Sequence, residues 1–345
     1  MSVIKYIINK QATIREALVA LDGNTHDWQT LFVVDESEKM VGTLTDGDIR
    51  RGLIRGLDLS ETVENAMHTS FRYVREGQND AKQLKEFREK QIFFIPVLDG
   101  NDHIVGVRNL IKYHNFLPID AVLMAGGKGE RLRPLTEKIP KPLLLVGDKA
   151  IIDHNVDRLI SYGVKHISVT VNYLKEQIEE HYKEPRDEVQ INCVREPKFL
   201  GTLGSVQFVE KFYNESIIVM NSDLFTDIDY EDFYLHFMEN DADMSVAAVP
   251  YNVSVPYGIF DLDGCNIDGL NEKPVYNYYA NAGIYLVKKS ALDCIPEDVR
   301  FDATDLIEKL IANQKRVIRY PLKGTWIDIG SMSEYQKAKD LAKHI

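Results

Sequence analysis

A glycine-rich segment at residues 125–131 has the composition of a phosphate-binding loop. Its glycines are Gly126, Gly127 and Gly129, and they follow directly on an apolar stretch. Glycine lets backbone N–H groups turn towards a phosphate without a Cβ atom in the way. Arg131 can hold a phosphate with two donors, and Lys141 can act as a point charge. These residue types at this spacing predict a site for a polyphosphate.

Two widespread phosphate motifs do not describe this loop. It lacks the terminal G-K-[ST] of a Walker loop and the G-x-G-x-x-G spacing of dinucleotide-binding folds. A glycine-rich turn with surface lysines is the simpler alternative. The apolar stretch before the loop and the residues after it, Arg131-Leu-Arg-Pro-Leu-Thr136 and Pro140-Lys-Pro-Leu143, favour the phosphate-binding interpretation.

The residues around this loop predict alternating strands and helices. The predicted strands are residues 119–124, 166–172, 189–194 and 217–220, and the predicted helices are residues 153–162, 174–182 and 202–212. Such alternation is typical of a mostly parallel sheet with helices on both faces, where ligands bind beyond the carboxyl ends of the strands. The glycine-rich loop and Asp223 both lie at such ends.

The first 115 residues contain a weak internal duplication. Each copy has a helix, an apolar strand, a polar turn, and a second strand followed by a helix. The copies consist of residues 13–21, 31–35, 36–39 and 40–50, and of residues 80–90, 93–99, 100–103 and 104–111. Two such units can bury each other's sheets, which neither can do alone.

The composition excludes several classes of protein. A formal net charge of −12 over 345 residues argues against a general nucleic-acid binder, which needs a basic surface. Every apolar stretch is much shorter than the about 20 residues of a membrane span, and the N-terminus lacks a signal-peptide core. Three cysteines without metal or redox spacing indicate reduced thiols and a cytoplasmic protein.

The segment Ala125-Gly-Gly-Lys-Gly-Glu-Arg-Leu-Arg-Pro-Leu-Thr136, followed by Pro140-Lys-Pro142, resembles the signature of the sugar-1-phosphate nucleotidyltransferases, and the resemblance covers residues 119–345. Residues 1–57 and 58–116 resemble two CBS repeats, a Bateman module. The combination is similar to CBS-containing mannose-1-phosphate guanylyltransferase-like enzymes, especially the glucosamine-1-phosphate guanylyltransferases of legionaminic acid biosynthesis. It implies a Rossmann-like, GT-A-like α/β domain after a tandem CBS module. The implied reaction transfers GMP from GTP to glucosamine 1-phosphate or a related hexose 1-phosphate.

The resemblance also implies a role for each matching residue. Arg131 would bind the leaving pyrophosphate and Lys141 the phosphates at the reacting centre, while Asp223 and Asp328 would bind Mg²⁺. The residues implied in nucleotide binding are Leu123, Ala125, Gly126, Gly127, Gly129, Glu196, Gly201 and Thr202. The residues implied in sugar binding are Gly258, Glu272, Lys273 and Asn281. Apart from the motif, Thr202 has the simpler interpretation of a residue at a helix N-terminus.

This chemistry depends on charge neutralisation more than on proton transfer. A sugar 1-phosphate is largely dianionic near neutral pH because its second pKa is about 6, so it needs no general base. Mg²⁺ binds phosphate oxygens and keeps several waters, so one or two carboxylates suffice. Asp223 and Asp328 are far apart in sequence, but each follows an apolar stretch. We therefore predict that they converge at one rim of the sheet.

The N-terminal pair offers one ribose contact of the type that CBS domains use. That contact is Thr or Ser followed three residues later by Asp, as in Thr45 and Asp48. The second copy has Asn109 and Lys112 at these positions, and an ammonium group cannot accept ribose hydroxyls. The resemblance implies at most one regulatory nucleotide. A structural or oligomerisation module is the alternative, and we expect a homo-oligomer.

Two other functions remain open at this point. A UTP- or dTTP-dependent glucose-1-phosphate nucleotidyltransferase would use the same phosphate-binding residues, since base choice depends on a few contacts. A catalytically silent, nucleotide-sensing regulatory subunit would need a damaged site, whereas Arg131, Lys141, Asp223 and Asp328 are all present.

Overall fold

The computed structural model describes residues 3–23, 28–78 and 80–343. The chain divides into two units, Met1–Phe116 and Leu117–Ile345, each with its own core. None of the helices in the described part of the chain is long and apolar enough to cross a bilayer.

The N-terminal unit contains one arrangement of strands twice. Its elements are β1 (Ile7–Asn9), α1 (Ile14–Asp22), β2 (Thr30–Val34), β3 (Met40–Thr45), α2 (Asp46–Ile54), β4 (Val74–Arg75), α3 (Ala81–Glu89), β5 (Phe94–Leu98) and β6 (Ile104–Asn109). In the sheets β1-β2-β3 and β4-β5-β6, the central strand is parallel to the first strand and antiparallel to the third. A β-bulge interrupts the antiparallel pair at Val33/Val34 and again at Val97/Leu98.

The helix that we predicted at the end of the second copy is absent, because β6 is followed by turns. In the first copy Thr45 and Asp48 form a capping box that starts α2. In the second copy the Asn109 side chain accepts the N–H groups of Ile111 and Lys112, each at 3.0 Å. These bonds have the pattern of a helix N-cap, as Asp80 forms at the start of α3, but only turns follow at residues 110–112.

Aromatic stacking joins the two sheets of this unit. Phe32 on β2 and Phe94 on β5 stack with ring centroids 5.4 Å apart, and Tyr6 packs edge-on against Phe94 at 4.7 Å. All three side chains are buried. Burial of a side chain of this size stabilises a fold by about 1.5–3 kcal/mol, so each sheet gains from the cover that the other provides.

The C-terminal unit is built around a seven-stranded sheet. Its helices are α4 (Ile151–Ser161), α5 (Lys175–His181), α6 (Tyr230–Glu239), α7 (Ala303–Ala312) and α8 (Met332–Ala342). Its strands are β7 (Ile119–Ala125), β8 (Leu145–Val146), β9 (Lys149–Ala150), β10 (His166–Val171), β11 (Ile191–Arg195), β12 (Ser216–Asn221), β13 (Leu224–Thr226), β14 (Met244–Ser254), β15 (Ile259–Asp263), β16 (Asn266–Asn271), β17 (Val275–Lys288), β18 (Val317–Pro321) and β19 (Trp326–Asp328).

The sheet has the order β11-β10-β7-β12-β17-β14-β18. All pairs from β11 to β12 are parallel, β17 is antiparallel to both of its neighbours, and β18 is parallel to β14. The predicted α/β fold with a mostly parallel sheet is confirmed.

The register of the central strands brings their carboxyl ends together. Ala125 at the end of β7 lies opposite Val171 at the end of β10, and Met124 lies opposite Asn221 at the end of β12. The strands are almost continuously buried, as expected of parallel strands covered on both faces. The segments that follow these three strands therefore start from one edge.

Residues 202–212 do not form the α-helix that their spacing predicted. Only Gly204–Phe208 is helical, as a 3₁₀-helix. The backbone N–H groups of Leu203 and Gly204 donate to the carbonyl oxygen of Phe301 at 3.0 and 2.9 Å. These bonds connect the segment to the residues that precede α7. They use backbone N–H groups that a regular α-helix would need for its own hydrogen bonds.

β14 and β17 continue beyond the sheet as a two-stranded ribbon. Their pairing extends to Ser254 and Val275. β18 accompanies β14 only as far as Ala248, and β12 accompanies β17 only from Ile284 onwards. The separate hairpin of β15 and β16 follows the ribbon tip in sequence.

Candidate active site

A cavity of about 610 Å³ opens where β7, β10 and β12 end, which is within the usual size range of small-molecule sites. Seven residues predicted from the sequence line it: Ala125, Gly126, Gly127, Gly129, Arg131, Lys141 and Asp223. Its other lining residues are Met124, Lys128, Glu130, Leu132, Pro142, Asn172, Phe199, Ser222 and Gly330.

Close contacts explain two of the loop glycines. Gly129 has a φ of 62°, and a Cβ atom there would lie 3.0 Å from the side chains of Thr136 and Lys141. The Thr136 hydroxyl donates to the Gly129 carbonyl at 2.8 Å. A Cβ atom on Gly126 would lie only 2.7 Å from Glu196 Oε2. Gly129 therefore requires glycine, whereas a side chain on Gly126 would displace the Glu196 carboxylate, and the loop presents backbone to the cavity.

Lys141 and Asp223 form an ion pair in the wall of the cavity. The Lys141 ammonium group donates to Asp223 Oδ2, and its side chain is only 11% exposed. The other oxygen of Asp223, Oδ1, is buried and has no hydrogen-bond partner among the described residues. A buried carboxylate oxygen without a donor is costly in free energy, and a bound cation would satisfy it.

Asp328 lies next to Asp223. The pairing of β13 with β19 places Leu224 opposite Asp328, and the N–H of Ile329 donates to the Asp223 carbonyl at 3.2 Å. Burial, and then the charge of Asp223, raise the pKa of Asp328 above its ordinary value. Two carboxylates in this arrangement fit a hard cation such as Mg²⁺. Within residues 3–23, 28–78 and 80–343, no larger group of His, Cys, Asp and Glu is placed to bind a metal.

Arg131 completes this cluster of charges. A Cβ atom on Gly330 would lie 2.9 Å from an Arg131 guanidinium nitrogen. Gly330 follows Asp328 by two residues, and the positive charge of Arg131 opposes the rise in the pKa of Asp328. The structure therefore brings three of the four predicted charged residues, Arg131, Lys141 and Asp223, to the cavity lining, and it places Asp328 next to Asp223.

Glu196 is buried directly behind the glycine loop, with 4% of its surface exposed. Its Oε1 accepts the N–H of Leu200 at 2.6 Å, and its Oε2 faces Gly126. The Asn172 side chain donates to the Glu196 carbonyl at 3.2 Å. Burial raises the pKa of Glu196. Because Gly126 and Asn172 both line the cavity, this weakly solvated carboxyl group lies just beneath its wall.

Besides Glu196, three predicted nucleotide-binding residues are not part of the lining described above: Leu123, Gly201 and Thr202. Leu123 is fully buried within β7. The N–H and hydroxyl of Thr202 donate to Asp302 at 2.8 and 3.2 Å, and the hydroxyl accepts the N–H of Ala303 at 2.9 Å. Thr202 thus holds the start of α7 and does not begin a helix of its own.

The predicted sugar-binding residues lie outside this wall. A Cβ atom on Gly258 would lie 2.9 Å from Glu272 Oε2, so these two residues are neighbours. Lys273 follows with a φ of 47°. The structure brings Gly258, Glu272 and Lys273 together near the tip of the ribbon.

Asn281 belongs to a segment of β17 that contacts both carboxylate-bearing segments. The Asn281 side chain accepts the N–H of Gly283 at 2.9 Å. The Trp326 indole N–H donates to the Ala282 carbonyl at 2.9 Å, and a Cβ atom on Gly283 would lie 2.6 Å from the amide nitrogen of Asn221. Residues 281–283 are therefore linked to the strand of Asp328 and to the strand that precedes Asp223.

The lining residues that were not among the predicted site residues include Asn172, Phe199, Ser222 and Gly330. Asn172 and Ser222 each come directly after a strand, so the rule that identified Asp223 could have found them. Phe199 is 56% exposed, and its position between the predicted nucleotide-binding residues Glu196 and Gly201 is the signal that could have found it.

Comparison with protein families agrees with this geometry. The nucleotidyl transferase family model matches residues 120–344, well over half of the chain. The chain belongs to the nucleotidyl transferase family. A CBS domain model matches residues 4–55, which include the first copy of the N-terminal duplication.

Two relatives with known names are similar to most of this chain. Mannose-1-phosphate guanyltransferase from Yarrowia lipolytica is 31% identical over 227 residues, 62% of this chain and 61% of that protein. The bifunctional protein GlmU from Methanococcus maripaludis is 31% identical over 222 residues, 61% of this chain and 51% of that protein. The chain thus spans between half and two thirds of these relatives.

A solved structure shares the fold of the C-terminal unit. HddC from Yersinia pseudotuberculosis superposes with a TM-score of 0.50 and 25% identity, covering 64% of this chain and 98% of HddC. The sheet whose carboxyl edge forms the cavity therefore belongs to a nucleotidyl transferase fold.

Proposed function

We propose that this protein transfers GMP from GTP to a sugar 1-phosphate and forms a GDP-sugar and pyrophosphate. The observation that carries the proposal is that Arg131, Lys141 and Asp223 line a cavity bordered by a glycine loop, with Asp328 next to Asp223. The name of the Yarrowia lipolytica relative supports guanylyl transfer to a sugar 1-phosphate. Glucosamine 1-phosphate or a related hexose 1-phosphate is the proposed acceptor.

In the proposed reaction the sugar phosphate attacks GTP in line. A sugar-phosphate oxygen forms a bond to the α-phosphorus, while the bond from that phosphorus to the oxygen bridging to the β-phosphate breaks. The bridging oxygen keeps the electron pair and leaves with pyrophosphate. Arg131 and Lys141 neutralise the phosphates and hold them in line, and such positioning supplies most of the catalysis in phosphoryl transfer.

Asp223 and Asp328 are the residues that would hold Mg²⁺. When bound, this ion supplies a positive charge that draws the phosphate oxygens of two polyanions together. Its arrival would also satisfy the buried Oδ1 of Asp223 and relieve the repulsion between the two carboxylates. Lys141, which pairs with Asp223 in this structure, would then be available to the phosphates.

The buried Glu196 carboxylate supports guanine as the base. Guanine presents two neighbouring donors, N1–H and the N2 amino group, and a carboxylate accepts both. Uracil and thymine place two carbonyl oxygens around their single N–H, which a carboxylate repels. Glu196 Oε2 lies behind Gly126, which lines the cavity, so it is close to the part of the wall where we propose that the base binds.

Glu196→Gln is expected to reduce the preference for GTP. The amide has one acceptor and one donor, so one hydrogen bond to guanine is lost, while the bond from Leu200 is kept. A hydrogen bond to a charged group is worth about 1.5–3 kcal/mol, so the ratio of kcat/KM for GTP to that for UTP should fall by about tenfold to a hundredfold. The measurement is pyrophosphate release with each triphosphate.

Glu179→Gln is the matched control for this variant. Glu179 pairs with Arg195, which directly precedes Glu196, and it is absent from the cavity lining among the described residues. Its ratio of GTP to UTP use should stay at the wild-type value. An unchanged ratio in Glu196→Gln would remove Glu196 from base selection.

Pyrophosphate release across a panel of substrates tests the proposed function itself. The four nucleoside triphosphates are each combined with the 1-phosphates of glucosamine, mannose and glucose. GTP with glucosamine 1-phosphate should give the highest kcat/KM. A preference for UTP or dTTP with glucose 1-phosphate would replace the proposal, and no release with any pair would favour a regulatory subunit.

Gly258, Glu272, Lys273 and Asn281 are proposed to bind the sugar. Their support is the contact of Gly258 with Glu272 and the links from the Asn281 segment to the strands that carry Asp223 and Asp328.

The three cysteines are free thiols, in keeping with the proposed cytoplasmic location.

In the N-terminal unit we propose two CBS repeats, residues 1–57 and 58–116, with one nucleotide site. A cavity of about 380 Å³ is lined by Thr45 together with Trp28, Thr43, Arg72 and Phe93, among others. Asp48 lies behind Thr45, whose hydroxyl donates to its carboxylate at 2.6 Å. Thr45 and Asp48 would accept the ribose hydroxyls of the nucleotide.

Asp48→Asn is expected to weaken nucleotide binding at least about tenfold, the value of one hydrogen bond to a charged group. The amide can still accept the bonds that cap α2, so the fold should persist. Calorimetry with AMP, ATP and GTP on the full chain measures the effect, and Asp46→Asn on the exposed side of the same turn is the control. If no nucleotide binds the wild-type chain at millimolar concentration, a structural role replaces the proposed site.

A further inference from the structure

Phe199 is an aromatic residue of the cavity wall that stays open to solvent. It lines the cavity, and 56% of its surface is exposed. The Arg300 guanidinium lies 5.9 Å from the ring centroid, at the outer limit of a cation–π contact. A single exposed apolar residue is ordinary on a protein surface. The position of this ring in the wall of a ligand-sized cavity is what distinguishes it.

The loop that carries this ring is held on both sides. The Leu200 N–H donates to Glu196 Oε1 at 2.6 Å, and the Leu200 carbonyl accepts the N–H of Phe301 at 2.8 Å. On the other side of the ring, Lys198 pairs with Asp298 at 2.9 Å. A phenylalanine on a fixed loop has only its two side-chain torsions to order when a ligand covers it. Binding against this ring therefore costs little conformational entropy.

The charged residues of the cavity form one group of contacts. Lys141 pairs with Asp223, and Gly129 packs against Lys141. Arg131 packs against Gly330. In the proposed function, on which this inference rests, these cations hold the phosphates of GTP. The triphosphate therefore occupies the part of the cavity next to them.

Phe199 belongs to a second group of contacts, in which the lining residues are uncharged. A Cβ atom on Gly126 would lie 3.4 Å from the Asn172 side chain and 2.7 Å from Glu196 Oε2. Glu196, behind the wall, also accepts the N–H of Leu200, the residue that follows Phe199. The base is the planar and uncharged part of a nucleoside triphosphate. A wall of this composition suits the base better than it suits the phosphates.

We propose that Phe199 stacks on the base of the bound nucleoside triphosphate. Every base has a π face, so stacking supplies affinity whichever base is present. The edge contact proposed for Glu196 then distinguishes guanine from the other bases. A purine overlaps a phenyl ring more fully than a pyrimidine does, so the ring also favours GTP over UTP.

Substitution of Phe199 in the full-length chain tests the stacking by steady-state kinetics. With the sugar 1-phosphate saturating, Phe199→Ala should raise the KM for GTP about tenfold to a hundredfold, the range for loss of one base–aromatic stack. The KM for UTP should rise by a smaller factor. The kcat should stay close to the wild-type value, because the base is stacked equally in the ground state and the transition state.

Two conservative variants separate stacking from simple apolar contact. Phe199→Tyr keeps the planar ring and should have the wild-type KM for GTP. Phe199→Leu keeps apolar bulk without a ring and should recover only part of the loss. Phe260→Ala is the matched control, since Phe260 is 53% exposed and is absent from the cavity lining among the described residues. Its KM for GTP should equal that of the wild type.

Tryptophan fluorescence gives a readout that does not depend on catalysis. Phe199→Trp places an indole ring where the base is proposed to stack. GTP should quench its emission beyond any change seen in the wild-type chain, which already contains Trp28 and Trp326. Subtraction of the wild-type signal removes the contribution of these two residues.

Three outcomes would overturn the stacking and leave the proposed function intact. They are an unchanged KM for GTP in Phe199→Ala, full recovery in Phe199→Leu, and a rise confined to the KM for the sugar 1-phosphate, which would place the acceptor against the ring. A wild-type preference for UTP would overturn the proposed base and leave the stacking in place if Phe199→Ala raised the KM for UTP. If no triphosphate released pyrophosphate, the proposed function would fail, and quenching in Phe199→Trp would decide the stacking alone.

Discussion

Asp223→Asn is expected to lower kcat by roughly a thousandfold or more, the scale on which loss of a charge-stabilising group acts in such reactions. The substitution keeps the shape of the side chain and removes its charge. It therefore removes an anionic Mg²⁺ ligand and the partner of Lys141 at the same time. Asp223 Oδ1 is buried and lacks a donor among the described residues. In the variant an amide group, which binds a cation poorly, would occupy this position. Asp328→Asn should have the same direction of effect.

Mg²⁺ binding to the chain without substrates separates a metal ligand from a merely structural residue. Calorimetry with Mg²⁺ alone should show weaker binding in both variants. For the wild type, Mg²⁺ affinity should fall as the pH falls through the raised pKa of Asp328, because a protonated carboxyl group does not bind the ion. Asp241→Asn, at an exposed carboxylate paired with Lys288, is the control and should behave like the wild type. Wild-type turnover of Asp223→Asn at limiting Mg²⁺ would contradict its assignment.

Much of the sheet was predictable because its strands are buried on both faces. Residues 121–125 and 217–220 are continuous apolar runs, which is the pattern of parallel strands under helices. The rule that ligands bind beyond strand carboxyl ends then placed the glycine loop and Asp223 at one edge. The structure adds the register of the strands, in which Met124 of β7 lies opposite Asn221 of β12.

Contacts between distant segments could not be predicted in the same way. The approach of Glu196 Oε2 to Gly126 joins residues 70 positions apart, and no local pattern encodes it. The predicted helix at 202–212 fails for the same reason, since the N–H groups of Leu203 and Gly204 donate to Phe301, about a hundred residues further along the chain. Helical periodicity describes local preference, and these tertiary bonds override it.

The missing helix of the second N-terminal copy had a local signal. The first copy begins its helix with Thr45 and Asp48, whose side chains and backbone N–H groups satisfy each other. The second copy has Lys112 where the carboxylate would be needed, and a lysine cannot accept the backbone N–H. Lys112 therefore argues against a second capping box as well as against a second ribose contact. The absence of the helix could have been predicted from this residue.

Arg131→Ala is expected to lower kcat by about a hundredfold or more, the loss that follows removal of one preorganised charge-stabilising donor. Arg131 lines the cavity on the 3₁₀-helix Glu130–Leu132 and packs against Gly330, close to Asp328. Its charge is therefore close to the proposed Mg²⁺ ligands, where we propose that pyrophosphate leaves. The KM for the sugar 1-phosphate should change much less than kcat, because the acceptor phosphate lies on the other side of the reacting phosphorus in an in-line reaction.

Arg133→Ala provides the matched control, since Arg133 is an exposed arginine two residues further on that pairs with Glu130 at 3.6 Å. It removes the same charge from the same loop and should leave kcat close to that of the wild type. Steady-state kinetics with both substrates varied measures the two constants separately. If Arg131→Ala raised only KM, Arg131 would bind substrate and transition state equally and would not stabilise the leaving group. If both variants lost kcat equally, the general positive potential of the loop, and not the position of Arg131, would be responsible.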